Sequence, residues 1–361
     1  MNVLALCKYG RLGASSRLRT MQYADYLRAL GIELKIVSLL DDRYLQGRYA
    51  GKTSKAAIAM AYINRAAEVL RARRYDLVHV EKEAFPWLPW LLEERIIPKC
   101  VPLTLDLDDA IFHNYDSHPN ECVRRILGGK ISQLMRRSCL VTTGSRYIQD
   151  RAVSAGASRV EYVPTVVDVE RYKVKSEERS SPFTIGWIGS PSTSRYLRLV
   201  SGPINDLKNK YNIRCVAVGA DPRELHGTPF QSLDWSEDRE VDLVTSFDVG
   251  IMPLEATQWE LGKCAYKIIQ YMAAGVPVVA SPVGMNVEVV ERAGSGYLAD
   301  SDDEWFSSIE KMIKDPGLRA TQGKRGRKAV EDFYSVQAQA PRIARMWRDV
   351  AMAQRGQHFG K

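Results

Sequence analysis

Short apolar runs alternate with amphipathic stretches along the whole of this chain, and that alternation restricts it to parallel sheets whose strands are joined by crossover helices. A strand covered on both faces reads as an unbroken apolar run, whereas a crossover helix shows apolar residues at spacings of three and four. In the first half the runs place strands near Val3–Leu6, Leu34–Ser38, Leu77–Glu81, Val101–Asp106, Cys139–Thr143 and Val160–Val163. Helical patterns over Arg17–Leu30, Lys55–Arg73, Arg124–Ser138 and Tyr147–Ala155 fill the intervals. The polar stretch Asp168–Pro182 interrupts the rhythm and reads as a linker. Strands then resume near Thr184–Ile188, Arg214–Val218, Val249–Pro253, Pro277–Ala280 and Gly296–Ala299. The helices of this half are expected at Ser194–Tyr211, Arg239–Ser246, Cys264–Ala274, Val287–Ala293 and Asp302–Lys314, with two more between Leu318 and Met352.

A length of 361 residues exceeds one ordinary domain, since domains run to roughly 100–200 residues. The expected division is an α/β domain over 1–167, a linker over 168–183, a second α/β domain over 184–336, and a last helix within 337–361. Apolar residues at 45% and charged residues at 26% allow each half a core and exclude a disordered chain.

The net charge of +8 is unevenly placed: residues 1–170 carry 25 Lys and Arg against 19 Asp and Glu, which puts +6 in the first half and +2 in the rest. Such a surface suits an anionic substrate or an anionic membrane. Nucleic acid is not expected, because no nucleic-acid motif and no interleaving of aromatic with basic residues is present. The segment Arg124–Arg137 reads as a basic helix with Ile131, Leu134 and Met135 on another face, either a solvated surface helix or a peripheral membrane contact. Six cysteines, at 7, 100, 122, 139, 215 and 264, show neither close pairing nor metal-ligand spacing, a reduced, cytoplasmic pattern. The apolar stretch before Lys8 is too short for a signal-peptide core, and no run approaches the about 20 residues needed to cross a bilayer.

The most informative stretch runs from Pro253 to Gly296: a strand end, a polar loop, a helix, a second strand and a glycine-containing turn. Ligands of open α/β sheets collect at the carboxyl ends of strands, where helix N-termini offer N–H groups to phosphate. Gly262 is expected to open the helix, and at about 100° per residue Lys263, Lys267 and Gln270 would share one sector while Cys264, Ile268 and Met272 share another. Two ammonium groups beside the positive end of a helix dipole suit a bound diphosphate, though solvated lysines on a surface turn read the same way.

Three further clusters stand at expected strand ends. Gly10-Arg-Leu-Gly13-Ala-Ser-Ser16-Arg17 is a turn whose Gly13 lets backbone approach a ligand and whose Arg17 offers a two-pronged donor, or else a tight turn with a solvent-facing arginine. It lacks the full dinucleotide fingerprint. Asp106-Leu-Asp108-Asp109 crowds carboxylates, so at least one should have a raised pKa or a cationic partner. Asp108 or Asp109 is the candidate for touching an acceptor hydroxyl, with Asp106 structural; the pair Asp106 and Asp108 also matches a short metal motif, and two Asp can equally cap a helix. His113 is a possible base but more simply a packed residue, and no Ser/His/Asp or Cys/His set is spaced persuasively. Glu288, at a helix start, needs no more than the helix dipole to explain it.

Glu260, Gly262, the run Gln270-Tyr-Met-Ala-Ala-Gly275-Val-Pro-Val-Val-Ala-Ser281, Gly284, Glu288 and Gly296 closely resemble the C-terminal half of glycosyltransferase family four, the retaining, nucleotide-sugar-dependent enzymes of the GT-B fold. Weaker echoes extend the resemblance over nearly the whole chain: Gly-Ala-Ser-Ser-Arg17, Asp106–Asp109, Thr143-Gly144-Ser145, Val163-Pro164 with Asp168, and Trp187-Ile-Gly189-Ser-Pro191. The resemblance implies two facing Rossmann-like domains, an acceptor-binding first and a donor-binding second, with the last helix crossing back to the first. It also implies a nucleotide diphosphate sugar donor, a glycan or lipid-linked glycan acceptor, a hexosyltransferase-like reaction serving cell-surface polysaccharide synthesis, and no metal or other cofactor.

By that resemblance Glu260 orients the donor sugar, Lys263 and Lys267 take the leaving phosphate, Gln270 holds the ribose, and Gly13, Arg17, Gly189, Ser190, Gly262, Gly284 and Asn286 line the nucleotide. Two departures stand out. The family's second glutamate is Gln270 here, with nine residues rather than seven after Glu260, so Glu255 is the alternative sugar-contacting carboxylate. The basic pair that commonly follows the first strand of the second domain is replaced by Gly189-Ser190-Pro191-Ser192-Thr193, leaving Lys263 and Lys267 to supply its charge. The competing readings are a nucleotide-sugar epimerase of the same architecture and a non-catalytic sugar-nucleotide-binding homologue.

Overall fold

The structure, a computed structural model, describes residues 1–49, 51–174 and 182–359. It contains two six-stranded sheets, each wholly parallel. The first is built from β1 (Asn2–Tyr9), β2 (Glu33–Leu40), β3 (Leu77–Glu81), β4 (Leu103–Leu107), β5 (Leu140–Thr143) and β6 (Val160–Tyr162), in the order β2-β1-β3-β4-β5-β6. The second is built from β7 (Phe183–Ile188), β8 (Ile213–Val218), β9 (Gln231–Leu233), β10 (Val249–Met252), β11 (Val278–Ala280) and β12 (Gly296–Leu298), in the order β12-β11-β10-β7-β8-β9. Each order reverses direction once, between β1 and β3 in the first sheet and between β7 and β10 in the second. At such switch points the loops leaving neighbouring strands diverge to opposite faces and open a crevice for ligands.

Eleven of these strands are legible as apolar runs. The twelfth, β9, is a short edge strand with Gln231 exposed, so it carries no apolar signal. The helices differ more. Arg17–Leu30 divides into Ala14–Arg19 and Ala24–Ala29 around a 3-10 turn, and Arg124–Ser138 breaks at Gly128-Gly129 into Glu121–Leu127 and Lys130–Arg137. In the second of these pieces Ile131, Leu134 and Met135 are core residues, and Lys130 is buried between Glu83 and Glu93 at 2.8 and 2.9 Å. The apolar face of that helix therefore packs inward, and Lys130 belongs to an internal ion-pair network.

The chain divides into two compact units: Met1–Thr165 with Gly262–Cys264 and Val336–Lys361, and Val166–Leu261 with Ala265–Ser335. The last helix, Val336–Phe359, groups with the first unit, where Trp347 packs on His79 at 4.8 Å between ring centres. Of the expected linker, residues 175–181 lie outside the described residues. The described part belongs to the second unit, where Tyr172 is buried and its carbonyl accepts from Arg327 at 2.8 Å.

Each core cluster lies along one face of its sheet. In the first unit it runs from Leu4 and Leu6 through Leu103 and Leu105 to Val141. In the second it joins Ile185 and Trp187 to Val249, Ile251 and Ile309. Two strand glycines of the second unit have a steric cause: a Cβ on Gly186 would enter the Phe247 ring, and one on Gly250 the Tyr271 ring. Tyr271 also fixes the helix that carries it, since its hydroxyl donates to the Ile251 carbonyl and accepts from the Ile188 amide, both at 3.1 Å. That helix, Tyr266–Ala273, is thereby pinned to β7 and β10, the strands of the switch point.

Candidate functional site

In the first unit the residues of interest stand where β1, β3 and β4 end. Gly13 precedes the helix Ala14–Arg19, and a Cβ there would run into the Tyr9 side chain, so glycine permits the turn to close on β1. Ser16 fastens the turn: its hydroxyl accepts from the Tyr9 amide at 3.0 Å and donates to Glu81 at 2.6 Å. Arg17 is 7% exposed and donates to the Arg11 carbonyl at 3.1 Å, so it braces its own turn rather than reaching into solvent.

The carboxylates at and just beyond the end of β4 each meet a cation. Asp106 is held at two points by Arg19, with Nη2–Oδ1 at 2.6 Å and Nε–Oδ2 at 2.8 Å, and Thr142 donates to Oδ1 at 2.5 Å. Burial alone would raise the Asp106 pKa, but the Arg19 guanidinium outweighs it and holds the carboxyl below its usual value. Asp108 and Asp109 share Lys82, whose Nζ lies 3.1 Å from Asp108 Oδ1 and 2.8 Å from Asp109 Oδ2. Burial raises the Asp108 pKa, whereas at Asp109 burial is overcome by the charges of Lys82 and Lys263, which lower it. The two neighbours are thus pushed apart, one toward the protonated form and one toward the carboxylate. His113 has both ring nitrogens engaged, with Asp116 and with the Tyr147 hydroxyl at 2.8 Å each, and packs edge-on against Phe112. It is a structural residue.

The Gly262–Cys264 segment groups with the first unit, and here the helical expectation is corrected. The helix begins at Tyr266, after Ala265 in the left-handed conformation at φ 56°, so Gly262 does not open it and Lys263 shares no helical sector with Lys267 and Gln270. Non-glycine residues avoid that region, which breaks the chain direction between Lys263 and the helix. Gly262 is buried and Lys263 partly buried, the latter within electrostatic reach of Asp109.

In the second unit Glu260 lies on the short helix Gln258–Leu261 after β10 and is 3% exposed. The hydroxyls of Tyr196 and Thr257 both donate to its carboxylate. Arg195, exposed on the 3-10 helix Pro191–Val200, donates to the Tyr196 hydroxyl at 3.0 Å and lies over the Tyr196 ring. Glu255, the alternative carboxylate, is exposed. Lys267 sits in the first turn of Tyr266–Ala273, a helix with no side-chain cap, and its Nζ lies 5.1 Å from the centre of the Trp187 ring. Gly189 joins this group, since a Cβ there would strike the Trp187 ring and approach the Lys267 stem at 2.8 Å. Ser190 next to it is exposed, its hydroxyl 3.1 Å from that of Ser192.

The amides of the two candidate nucleotide residues face protein. Gln270 is buried and donates to the Tyr172 hydroxyl at 3.4 Å. Asn286 is buried and donates to the Ser281 carbonyl at 3.0 Å, holding the loop that enters the helix Met285–Ala293. Gly284 begins that helix at φ 54° and ψ −128°, where a side chain would be strained and its Cβ would meet the Leu261 carbonyl at 3.0 Å. Glu288 pairs loosely with Arg292 on the next turn at 3.9 Å.

The structure therefore gathers Asp108, Asp109 and Lys263 in the first unit, and Gly189 with Lys267 in the second. It adds five residues that sequence reasoning missed: Lys82, Trp187, Arg195, Tyr196 and Thr257. Tyr196 lies 64 positions before Glu260 in an ordinary helical pattern, so no local signal marked it. Lys82 stands between Glu81 and Glu83 in sequence, which hid its pairing with the distant Asp108 and Asp109. Among the described residues, no group of three or more His, Cys, Asp or Glu is arranged to hold a metal ion, and no helix is long and apolar enough to cross a membrane.

Comparison with known proteins matches residues 18–171 to the family model "Glycosyltransferase Family 4" and residues 182–315 to "Glycosyl transferases group 1". A human relative, alpha-1,3/1,6-mannosyltransferase ALG2, is 36% identical over 90 residues, which is 25% of this chain and 18% of that protein's length. Among solved structures, sucrose-phosphate synthase from Thermosynechococcus elongatus superposes with a TM-score of 0.73 at 14% identity, over 98% of this chain and 100% of the other. Anabaena Alr3699/HepE in complex with UDP-glucose gives 0.69 at 18% identity, over 97% and 100%.

Proposed function

The chain belongs to glycosyltransferase family four and has the GT-B fold, and we propose that it is a retaining enzyme that moves a sugar from a nucleotide diphosphate to a hydroxyl of a glycan or lipid-linked glycan. The observation that carries the reading is Glu260, a buried carboxylate fixed by two hydroxyl donors on the short helix Gln258–Leu261 that follows β10, a strand of the second sheet's switch point. A buried acid bound in this way is preorganised to accept hydrogen bonds from sugar hydroxyls at little entropic cost.

The leaving diphosphate needs fixed positive charge that acts as its negative charge develops. Lys267 and the uncapped N-terminus of Tyr266–Ala273 supply it, and Lys263, four positions earlier in the chain, adds a further ammonium. Arg195 is an additional donor, six positions beyond Gly189 and held by Tyr196; it stands in for the basic pair absent after β7. In this reading the departing phosphate accepts the acceptor's proton while Asp109 orients the acceptor hydroxyl. That HepE is solved with UDP-glucose, and that a relative is a mannosyltransferase, supports a nucleotide-sugar donor of hexose type. The reading extends to peripheral contact with an anionic membrane, supported by the exposed Trp87, Leu91, Leu92 and Ile126 in the basic half of the chain.

The test is thermal-shift screening with UDP, GDP, ADP, TDP and CMP compounds, followed by transfer assays with the matching nucleotide sugars and an acceptor panel. A ligand specific for the folded state raises the melting temperature by mass action, so one base should stand apart. Acceptor-dependent nucleotide release is the expected result. Acceptor-free epimer formation by NMR, or tight donor binding with no turnover on any acceptor, would overturn the reading.

A further inference from the structure

Lys82 follows β3 at the first sheet's switch point and adopts φ 65°, a backbone region that non-glycine residues avoid. Such strain persists where surrounding contacts overdetermine it, and the contacts of Lys82 do so. The residue is 6% exposed, and its Nζ donates to Ser15 Oγ and to Asp109 Oδ2, each at 2.8 Å, while lying 3.1 Å from Asp108 Oδ1. The preceding residue, Glu81, accepts from Ser16 Oγ at 2.6 Å. Two consecutive residues, an acid and a base, thus grip two consecutive serines of the glycine turn, and the second of them also holds the carboxylates after β4.

The arrangement is asymmetric in a way that structural ballast does not require. Asp108 is buried, whereas the Asp109 side chain is 30% exposed. Its Oδ2 is taken by Lys82, and Oδ1 accepts no hydrogen bond among the described residues. Burial works against the charge of Lys82, and Asp108 and Asp109 overcome it, lifting its pKa well above the usual lysine value. Lys82 remains a cation throughout the working pH range of an enzyme.

We propose that Lys82 is a positioning residue, which holds Asp109 as a carboxylate with its outer oxygen presented to the acceptor hydroxyl and ties that carboxylate to the glycine turn through Ser15. The inference rests on the glycosyltransferase reading and adds to it the device that sets acceptor geometry. It also explains why a residue outside every recognisable motif adopts a strained conformation at the sheet's switch point. The groups that face Asp109 are Lys82, Asp108, Lys263 and Lys8, so removal of Lys82 leaves two adjacent acids with only the more distant lysines to stabilise their charge.

The experiment compares wild type with Lys82→Met and Lys82→Arg, using the nucleotide sugar and acceptor that the wild type turns over best. In Lys82→Met, kcat/KM for the acceptor should fall by about 10²-fold from lost orientation. The acid limb of its pH profile should move upward by about one unit or more as Asp109 loses its counter-charge. Lys82→Arg, which keeps the charge, should return the acid limb to its wild-type position. A second arm needs no turnover: the melting temperature of Lys82→Met should fall relative to wild type as pH rises from about 3 to 6, the range around the ordinary Asp value, and adding Asp109→Asn should remove that fall. An unmoved acid limb in Lys82→Met, or an unchanged pH dependence of melting, overturns the inference. A wild type that transfers no sugar overturns the glycosyltransferase reading, while the melting arm still decides whether Lys82 controls the charge of Asp109.

Discussion

Arg19 and Asp106 form a two-point ion pair inside the first unit, guanidinium to carboxylate at 2.6 and 2.8 Å, and both residues are almost wholly buried. Arg19 also donates to the Val163 carbonyl at 2.8 Å, so one side chain links the helix Ala14–Arg19 to the end of β4 and to the segment after β6. Removing one partner leaves an uncompensated charge where water cannot reach it. Asp106→Asn and Arg19→Met should each lower stability by about 3–5 kcal/mol, measured by denaturant unfolding. The folded Asp106 pKa is depressed, so its contribution is present above the unfolded value and disappears as pH falls through the folded one. Wild type should lose this increment in acid; Asp106→Asn should not.

Glu81 gives the opposite pH signature. Burial pushes its pKa up from the ordinary 4.5 to about 7. The folded chain therefore keeps a proton that the unfolded chain has released, and stability declines as pH rises between those values, by on the order of 3 kcal/mol. Glu81→Gln should flatten the stability profile over that window, and a profile unchanged from wild type would contradict the assignment.

Gly250 lies against Tyr271, the residue that pins the helix Tyr266–Ala273 to β7 and β10. Gly250→Ala should destabilise by about 1–3 kcal/mol through overpacking. It should also weaken donor binding, because the displaced helix carries Lys267. Tyr271→Phe keeps the ring but drops both hydrogen bonds, leaving the Ile188 amide unsatisfied, and should cost about 1–3 kcal/mol. Unfolding curves and donor titrations separate the two effects.

Glu260 depends on Tyr196 for its orientation. Glu260→Ala should lower kcat by about 10²–10³-fold if it meets charge in the transition state, whereas Tyr196→Phe should give a smaller loss in the same direction. Full activity in Glu260→Ala would transfer the sugar-contacting role to Glu255.

The sheets were legible because parallel strands buried on both faces leave apolar runs, and the run Leu77–Glu81 coincides with β3 to the residue. Helix boundaries were less so, since the break at Gly128-Gly129 and the start at Ala265 are set by local backbone conformation, which periodicity does not report. Among site residues, Asp106–Asp109 were visible as a charge cluster, but their separate partners were not: Arg19 lies 87 positions away and Lys82 lies 27. The placement of Lys263 in a helical sector failed for the same reason as the helix start. A left-handed alanine has no composition signal. The buried amides of Gln270 and Asn286 show the remaining limit, because a motif names a residue without saying which way it faces.

In the mechanism proposed above, fixed positive charge at Lys263 and Lys267 draws the diphosphate from an activated sugar. Its most direct test is the doubly neutralised variant Lys263→Ala/Lys267→Ala, assayed for donor affinity by calorimetry and for kcat under saturating donor. Weaker donor binding together with a fall in kcat of about 10²-fold or more is expected. Affinity and turnover both equal to wild type would contradict it.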